Sequence, residues 1–281
     1  MSKLYIVGTP IGNLGDLSPR AGQVLAAVDF IAAEDTRVSV KLLNHLGIKK
    51  PMVSYYQHNL RERGEQILGR IAAGESCAII TDAGMPCISD PGEDLVRLCH
   101  DRGVPMEVVP GPSAAIAALA ASGIATGRFA FEGFLSTSAK SRREHLAQVA
   151  RDPRTLIFYE APHKLRTTLR DMAEVFGSDR PVTLARELTK LHEEVVRTTF
   201  AGALALYAQR EPKGEFVLVV AGCPAQQLDE DKPTREQAVA QVLELYQSGQ
   251  SLTDAAGAVA QQTGYRKGEL YKAAIKAKDE A

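Results

Sequence analysis

The stretch YIVGTPIGNLGDLSP, from Tyr5 to Pro19, predicts a strand, a glycine-rich loop and the start of a helix. Ser18 is a favourable N-cap, and Pro19 suits the first helical turn because the N–H that it lacks would be unpaired there. The glycines of the loop are Gly8, Gly12 and Gly15. Because glycine lets another group approach the backbone closely, the unit predicts a ligand site.

Short apolar runs alternate with helical patterns as far as residue 123. The runs are FIAA (30–33), CAIITDA (77–83) and MEVVPG (106–111). Continuous apolar strands separated by helices are typical of a parallel sheet that is covered on both faces. We therefore predict an N-terminal α/β domain over residues 1–123, in which Asp90 and Pro91 begin one of the helices.

Residues 124–223 show a different pattern, with more strand candidates than helical segments. The candidates are RFAFEGFL, TLIFYEA, PVTLARE, EVVRTTF and EFVLVVAG. This pattern predicts a mixed sheet in a second α/β domain. The polar segment 224–236, bracketed by prolines, predicts a linker, and the helical patterns of 237–281 predict a small helix-turn-helix-like module.

The bulk composition is typical of a soluble α/β protein. Of the 281 residues 45% are hydrophobic, and the net charge is −1, so any attraction to nucleic acid must be local. Without an apolar stretch of membrane-spanning length or a cationic leader in the sequence, we expect a cytoplasmic protein. The cysteines lack CxxC spacing, which argues against a disulfide framework or a zinc site.

The last helical pattern is locally basic, with Glu269 as its one acid between residues 265 and 278. Its cations are Arg266, Lys267, Lys272, Lys276 and Lys278. A solvated helix face and an electrostatic contact to RNA are both compatible with this pattern.

The opening loop matches neither common phosphate-binding motif. A P-loop needs a lysine after its glycines, and a dinucleotide fingerprint needs a closer glycine spacing. Glu34 and Asp35 do follow the second strand, where a ribose-binding acid lies in dinucleotide-binding folds, so a nicotinamide enzyme is kept as a distant alternative. The loop better suits a nucleoside with a small zwitterionic tail.

Further stretches place polar or small residues where predicted strands end, and open α/β sheets bind ligands there. They are ITDAGMPCISDPG (80–92), VVPGPSAAIAALAASG (108–123), FYEAPHKL (158–165) and ARELTKLHEE (185–194). A ligand cleft explains them together. Structural turns, close packing and surface salt bridges explain them one by one.

Together these stretches resemble the tetrapyrrole methylase superfamily, in its ribosomal RNA small subunit methyltransferase I branch. The resemblance includes AAEDTR, SYYQHN and GEFVLVV, and it covers nearly all of residues 4–222 in order. It implies two α/β domains with a cofactor cleft between them, usually in a homodimer. Pro10 and Asn13 depart from the GxGxGD loop of tetrapyrrole-modifying members, which favours the ribosomal branch.

The resemblance implies methylation, by S-adenosylmethionine, of the ribose 2′-oxygen of a cytidine in the decoding centre of 16S rRNA (cytidine 1402 of the rRNA). The partner would be 16S rRNA within the small ribosomal subunit, and no metal is implied. By motif position, the implied cofactor-binding residues are Pro10, Ile11, Asp82, Met85, Ser113, Ala114, Tyr159, Ala185 and Phe216.

Methyl transfer to a hydroxyl depends on positioning, and a general base assists it because a hydroxyl has a high pKa. Candidate bases are Glu34, Asp35, Glu160, Glu187 and Lys190, the last if burial lowers its pKa. Of these, the groups Glu34–Asp35 and Glu187–Lys190 are favoured as catalytic. Candidate RNA contacts are Arg37, Tyr55, Tyr56, His58 and Arg186, with Arg266, Lys267 and Lys272 in the tail.

Two other functions stay open. A tetrapyrrole C-methyltransferase would share the cleft but would leave the basic tail unexplained. A non-catalytic RNA-binding assembly factor would keep the fold without binding the cofactor.

Overall fold

A computed structural model of the chain describes residues 2–56, 60–224 and 233–279. Its contacts divide the chain into two compact units, Met1–Gly222 and Cys223–Ala281. Within the described ranges, no helix combines the length and the apolar character needed to cross a membrane.

The first part of the larger unit is a parallel sheet with the strand order β3-β2-β4-β1-β5. Its strands are β1 Leu4–Val7, β2 Phe30–Ala33, β3 Met52–Ser54, β4 Cys77–Ile80 and β5 Met106–Val109. The connecting helices are α1 Pro19–Ala27, α2 Thr36–His45, α3 Leu60–Ala72 and α4 Glu93–Asp101. Each pairing among these described strands is parallel, as predicted. The short strand β3 was not predicted.

Alternate residues of the apolar strands pack on opposite faces of this sheet. Leu4 joins a core cluster with α3 and α4, whereas Val7 joins another cluster with α1 and α2. The prediction of a sheet covered on both faces is therefore confirmed in its centre. The edge strand β5 differs, because 51% of the Val108 surface is exposed.

The second part of the larger unit is a mixed sheet with the order β6-β7-β10-β8-β9. Its strands are β6 Phe129–Phe134, β7 Thr155–Glu160, β8 Pro181–Arg186, β9 Glu194–Thr199 and β10 Phe216–Val220. Strand β6 pairs with β7 in parallel and the other pairings are antiparallel, so the predicted mixed sheet is confirmed. Helices α6 Ala139–Val149, α7 Pro162–Phe176 and α8 Phe200–Gln209 follow along the chain.

Helix α5, Ala114–Ser122, connects the two sheets. From its sequence we predict this helix in the first domain, whereas its small buried side chains Ala115 and Ala118 pack on residues of the second sheet, including Ile157 and Val217. Alanine side chains let the helix axis lie close to the strands, so the helix brings the end of the first sheet beside the second.

The two helix starts predicted from sequence had different outcomes. Ser18 caps α1, accepting a hydrogen bond from the Ala21 N–H at 3.1 Å, as predicted. The prediction that Asp90 and Pro91 begin a helix is wrong, because α4 begins at Glu93 after Gly92. Gly92 has a φ of 137°, a conformation in which the chain turns before it can become helical.

In the smaller unit, residues 233–279 form the helices α9 Arg235–Gln247, α10 Leu252–Thr263 and α11 Lys267–Asp279. Their apolar faces share one small core. Thr234 and Gln237 form a capping box at the start of α9. The helices predicted for the C-terminal region are therefore present, while most of the predicted linker, residues 225–232, lies outside the described residues.

Candidate functional site

A cavity of about 510 Å³ lies at the carboxyl ends of β1, β2, β4 and β5, and residues of the second sheet close it. Most of the residues predicted to hold a cofactor line this cavity. They are Ile11, Asp82, Met85, Ser113, Ala114, Tyr159, Ala185 and Phe216. Pro10 precedes Ile11 in the chain but is not part of the described lining. Residues far apart in sequence are brought together here because the ends of parallel strands meet at one sheet edge.

The glycines of the opening loop have a different role from the predicted one. A Cβ on Gly8 would lie 2.6 Å from Cα of Gly111, and a Cβ on Gly12 would lie 2.5 Å from Cγ of Lys190. The space beside these glycines is therefore filled by neighbouring loops of the protein. At Gly8 and Gly12 the groups that approach the backbone closely are therefore protein atoms, and the loop reaches the cavity through Ile11.

Tyr159 caps the start of α5, the helix that begins at the cavity. Its phenol oxygen accepts a hydrogen bond from the Ala115 N–H at 3.1 Å, whereas the N-cap residue Ser113 makes no such capping bond. The ring of Tyr159 packs edge-on against Phe131 and Phe134, with centroids 4.9 and 5.4 Å away. Burial raises the pKa of Tyr159, so the phenol stays neutral and holds the start of α5 against β7.

The charged lining of the cavity is acidic. Among the described residues that line it, Lys, Arg and His are absent, and the acids are Glu34, Asp82, Asp90, Glu160 and Glu215. Such a lining attracts a cation and repels phosphate groups. The nicotinamide alternative, which requires a pyrophosphate site, is disfavoured by this charge.

Three of these acids lie beside Thr81 at the ends of β2 and β4. The Thr81 hydroxyl donates to Oε2 of Glu34 at 2.5 Å, and Oδ1 of Asp82 accepts the Asp35 N–H at 3.2 Å. Burial, followed by the charge of Glu34, raises the pKa of Asp90 to about 6 and also raises the pKa of Asp82.

Glu215 and Asp90 are the cavity acids that sequence reasoning did not single out, and Asp90 was missed because the Asp-Pro pair was interpreted as a helix start. Its position in a polar loop directly after the buried strand β4 was the signal that could have identified it.

Asp35, predicted to be catalytic, is held by its neighbour and does not line the described cavity. Arg37 donates to both of its carboxylate oxygens, at 3.0 Å from Nε to Oδ1 and 2.6 Å between the Nη2 and Oδ2 atoms. These hydrogen bonds lower the pKa of Asp35 to about 2. A carboxylate in this state is a weak base, and the exposed Arg37 is already paired.

Glu187 and Lys190 are also paired outside the lining. Lys190 Nζ donates to Oε1 of Glu187 at 2.8 Å and to Oε2 of Glu215 at 2.9 Å. Burial acts to lower the pKa of Lys190, but these hydrogen bonds outweigh it and raise the pKa. The condition under which Lys190 would act as a base is therefore not met. The bond from Lys190 likewise lowers the pKa of Glu187.

Glu160, another candidate base, is a buried carboxylate with its donors in place. It accepts from the Thr168 hydroxyl at 2.5 Å and from the Ala161 N–H at 2.8 Å, and Lys164 Nζ lies 3.3 Å away. These contacts favour a structural role for Glu160 at the start of α7.

The candidate RNA contacts are dispersed. Arg186 is held by Oε2 of Glu194 at 3.1 Å and by backbone carbonyls, Tyr55 is buried, and Tyr56 is exposed at the end of β3. Arg266, Lys267 and Lys272 are exposed in the smaller unit. His58 lies outside the described residues.

Comparison with known proteins gives consistent results. Residues 3–204 match the family model described as Tetrapyrrole (Corrin/Porphyrin) Methylases. A protein of Synechocystis sp. named Ribosomal RNA small subunit methyltransferase I is 44% identical over 277 residues, which cover 98% of each chain. A protein of the same name from Haemophilus influenzae is 46% identical, covering 96% of this chain and 95% of that one.

Solved structures share the fold at low identity. The uroporphyrin-III-C-methyltransferase of Thermus thermophilus superposes with a TM-score of 0.56 at 19% identity, covering 78% of this chain and 94% of that chain. A diphthine synthase superposes with a TM-score of 0.59 at 13% identity, covering 78% and 89%. At such identities the likeness is one of fold alone.

Proposed function

Since this chain belongs to the ribosomal RNA small subunit methyltransferase I family of tetrapyrrole methylases, we propose that it methylates 16S rRNA with S-adenosylmethionine. The proposed acceptor is the ribose 2′-oxygen of a cytidine in the decoding centre, cytidine 1402 of the rRNA. The names of its relatives support methylation of rRNA. The cofactor and the acceptor atom are proposed in addition.

The acidic cavity is the observation that carries the cofactor assignment. S-Adenosylmethionine is a nucleoside with a sulfonium, an ammonium and a carboxylate, so it has a net positive charge and no phosphate. A cavity of about 510 Å³ lies in the usual range for sites of such ligands, and its charged lining is acidic. When bound, the cofactor supplies an activated methyl group. The residues present therefore fit the group.

The chain's own residues would bind and orient the reactants. Asp82 and Met85 follow β4, and Ser113 and Ala114 begin α5, so these side chains would hold the cofactor on the first-sheet side. Tyr159, Ala185 and Phe216 would cover it from the second sheet, with Ile11 reaching in from the opening loop. Such fixed placement favours in-line approach of a ribose oxygen to the methyl carbon.

Contact with the rest of the rRNA is assigned to the basic tail. The exposed cations of α11 would neutralise phosphates and anchor the substrate without reading its sequence.

We also propose that the protein is cytoplasmic and that it assembles as a homodimer. The exposed side chains of Val108 on the edge strand β5 and Ile116 on α5 support a protein interface.

The tetrapyrrole alternative is disfavoured by the same lining. A uroporphyrinogen-type substrate carries many carboxylates, which the acids around the cavity would repel.

Methyl transfer from labelled S-adenosylmethionine tests the proposal. Small ribosomal subunits that lack the modification and a uroporphyrinogen-type tetrapyrrole are offered in parallel, and labelled RNA is mapped by nuclease digestion. We expect label on one cytidine ribose. Label on the tetrapyrrole alone would overturn the substrate assignment, and failure to bind S-adenosylmethionine would support the non-catalytic alternative.

A further inference from the structure

We propose that the ring of Phe134 is the platform on which the base of the methylated nucleotide stacks. This inference rests on the proposed function and adds to it a residue that binds the acceptor nucleotide. Phe134 is the last residue of β6, the edge strand of the second sheet, and its side chain belongs to the lining of the cavity.

The aromatic side chains in the described lining differ in their exposure. Phe216 is buried and Tyr159 is half-buried, whereas 56% of the Phe134 surface is exposed. A small ligand in a cavity buries most of its own surface, so its contacts are expected among covered residues. The half-exposed ring of Phe134 lies at the mouth of the cavity, where a group that enters from outside can reach it.

A β-bulge directs Phe134 towards the cavity. In a regular strand Phe131 and Phe134, which are three residues apart, would point to opposite faces of the sheet. The register with β7 shifts between Phe131 and Gly133, so that Phe131 pairs with Ile157. Phe134 then pairs with Tyr159, which shares a face with Ile157 because the two are separated by one residue. Both phenylalanine rings therefore lie on the face that reaches the cavity.

The bulge is supported by contacts of its own. Glu132, the extra residue, is bound on α6, where its Oε2 lies 2.8 Å from Nε2 of His145. Gly133 has a φ of 66°, in the left-handed region that favours glycine. A Cβ on Gly133 would lie 3.5 Å from Oγ of Ser89, an ordinary contact, so the conformation and not a lack of space calls for glycine. Bulges are common beside active sites, where they re-aim a side chain.

The ring of Phe134 is held in place beside a cation. It packs edge-on with Tyr159, at 5.4 Å between centroids and an interplanar angle of 63°. Lys164 Nζ lies 5.9 Å from the Phe134 centroid and is itself oriented by Oε1 of Glu160, 3.3 Å away. The mouth of the cavity therefore combines a fixed, partly uncovered aromatic surface with a positive charge.

An RNA nucleotide fits these features better than the adenine of the cofactor does. Every base has a flat π face, and proteins that bind unpaired RNA stack such bases on aromatic side chains. The Lys164 ammonium attracts a phosphate, whereas the acidic lining deeper in the cavity repels one. S-Adenosylmethionine has no phosphate to place at the mouth. A nucleotide stacked on Phe134 would keep its phosphates outside while its ribose approaches the methyl group.

Phe134→Ala removes the π face from a half-exposed position, which the fold should tolerate. We expect kcat/KM for unmodified small subunits to fall by about 5- to 150-fold, the usual loss when a base–aromatic stack is removed. Phe134→Leu keeps apolar volume without a π face and should not restore this activity, whereas Phe134→Trp should remain near the wild type. Binding of S-adenosylhomocysteine, measured by calorimetry, should be unchanged in all three variants.

Phe129→Ala is the matched control. Phe129 is the first residue of the same strand, 39% of its surface is exposed, and it is not part of the described lining. The same substitution at Phe129 should leave kcat/KM and cofactor affinity unchanged. Equal losses in the two variants would mean that perturbation of β6, and not loss of a stacking surface, lowers the activity, and this would overturn the inference.

Fluorescence gives a readout of stacking that does not depend on turnover. The chain contains no tryptophan, so Phe134→Trp carries a single one. Unmodified small subunits should quench its emission, with the wild-type protein and the same subunits as the blank. S-Adenosylhomocysteine alone should leave the emission nearly unchanged, and comparable quenching by it would assign the ring to the adenine of the cofactor and contradict the proposal.

The outcomes for this residue and for the proposed function are distinguishable. Wild-type kcat/KM in Phe134→Ala, or a loss explained wholly by weaker cofactor binding, would exclude the stacking role while leaving the proposed function intact. If the wild type methylates no RNA, the proposed function itself fails, and the role of Phe134 fails with it.

Discussion

Replacing Gly111 by alanine tests the contact between the two glycine loops beside the cavity. A Cβ at this position would lie 2.8 Å from the Cα and carbonyl carbon of Gly8 and 3.0 Å from its oxygen. Carbon atoms in contact are normally about 3.5–4.0 Å apart, so the loops would have to separate by roughly 1 Å. The opposing atoms are all backbone, and rotation of a side chain cannot relieve the clash.

The expected cost follows from this geometry. Overpacking a well-packed site costs about 1–3 kcal/mol, and each kcal/mol lowers Tm by about 2–4 °C in a domain of this size. The perturbation also reaches the cavity, because the Gly111 N–H donates to Sδ of Met85 at 3.2 Å and Met85 lines the cavity. We therefore expect weaker binding of S-adenosylhomocysteine as well as lower stability.

Gly22→Ala is the matched control. Apart from the backbone of its own helix α1, no atom lies within 4 Å of a Cβ added to Gly22, so the same chemical change should stabilise the protein by about 0.5–1 kcal/mol through helix propensity. Scanning calorimetry, with and without S-adenosylhomocysteine, measures both effects. A Gly111→Ala protein with wild-type Tm and wild-type affinity would refute the reasoning, because it would mean that the loops separate without cost.

The remaining predictions concern a buried acid, the cavity and the tail. Thr168→Val removes the donor that lies 2.5 Å from Oε2 of buried Glu160, so we expect urea denaturation to show a loss of about 1–3 kcal/mol in unfolding free energy. Asp90→Asn should raise Tm at pH 8. The pKa of Asp90 in the native protein, about 6, exceeds the ordinary value of 3.8. Its ionisation therefore lowers the free energy of unfolding as pH rises from the lower of these values to the higher. Replacing the tail cations by glutamine should weaken binding to the small subunit and leave cofactor affinity unchanged. The slope of log K for that binding against log salt concentration should become shallower by up to about 0.9 per lost phosphate contact. The tail cations to replace are Arg266, Lys267 and Lys272.

Each of these has a clear contrary result. Wild-type stability of Thr168→Val would mean that water or Lys164 replaces the lost donor. A stabilisation of Asp90→Asn that is equally large at pH 3 and pH 8 would exclude ionisation as its cause. An unchanged salt dependence after neutralising the tail would place the RNA contact elsewhere.

Strand and helix positions were largely predictable because they depend on local patterns. The apolar run at β4 and the Ser18 cap act through neighbours in the chain, and the structure has them in place. The short strand β3 was not predicted, because three residues are too few to show a periodic pattern. The start of α4 was misplaced because Asp90 has the residue type of a cap but faces the cavity instead.

The sequence by itself determined the two α/β patterns, the family and eight of the residues that line the cavity, since motif positions at strand ends are local features. Only the tertiary structure decided what those residues can do. The basicity of a carboxylate depends on its burial and on charges from other elements, as Asp90 shows beside Glu34 and Thr81. The role of the opening glycines was likewise decided by tertiary contacts, with Gly111 beside Gly8 and Lys190 beside Gly12. Because these partners are far from the loop along the chain, the contacts cannot be predicted from the local sequence.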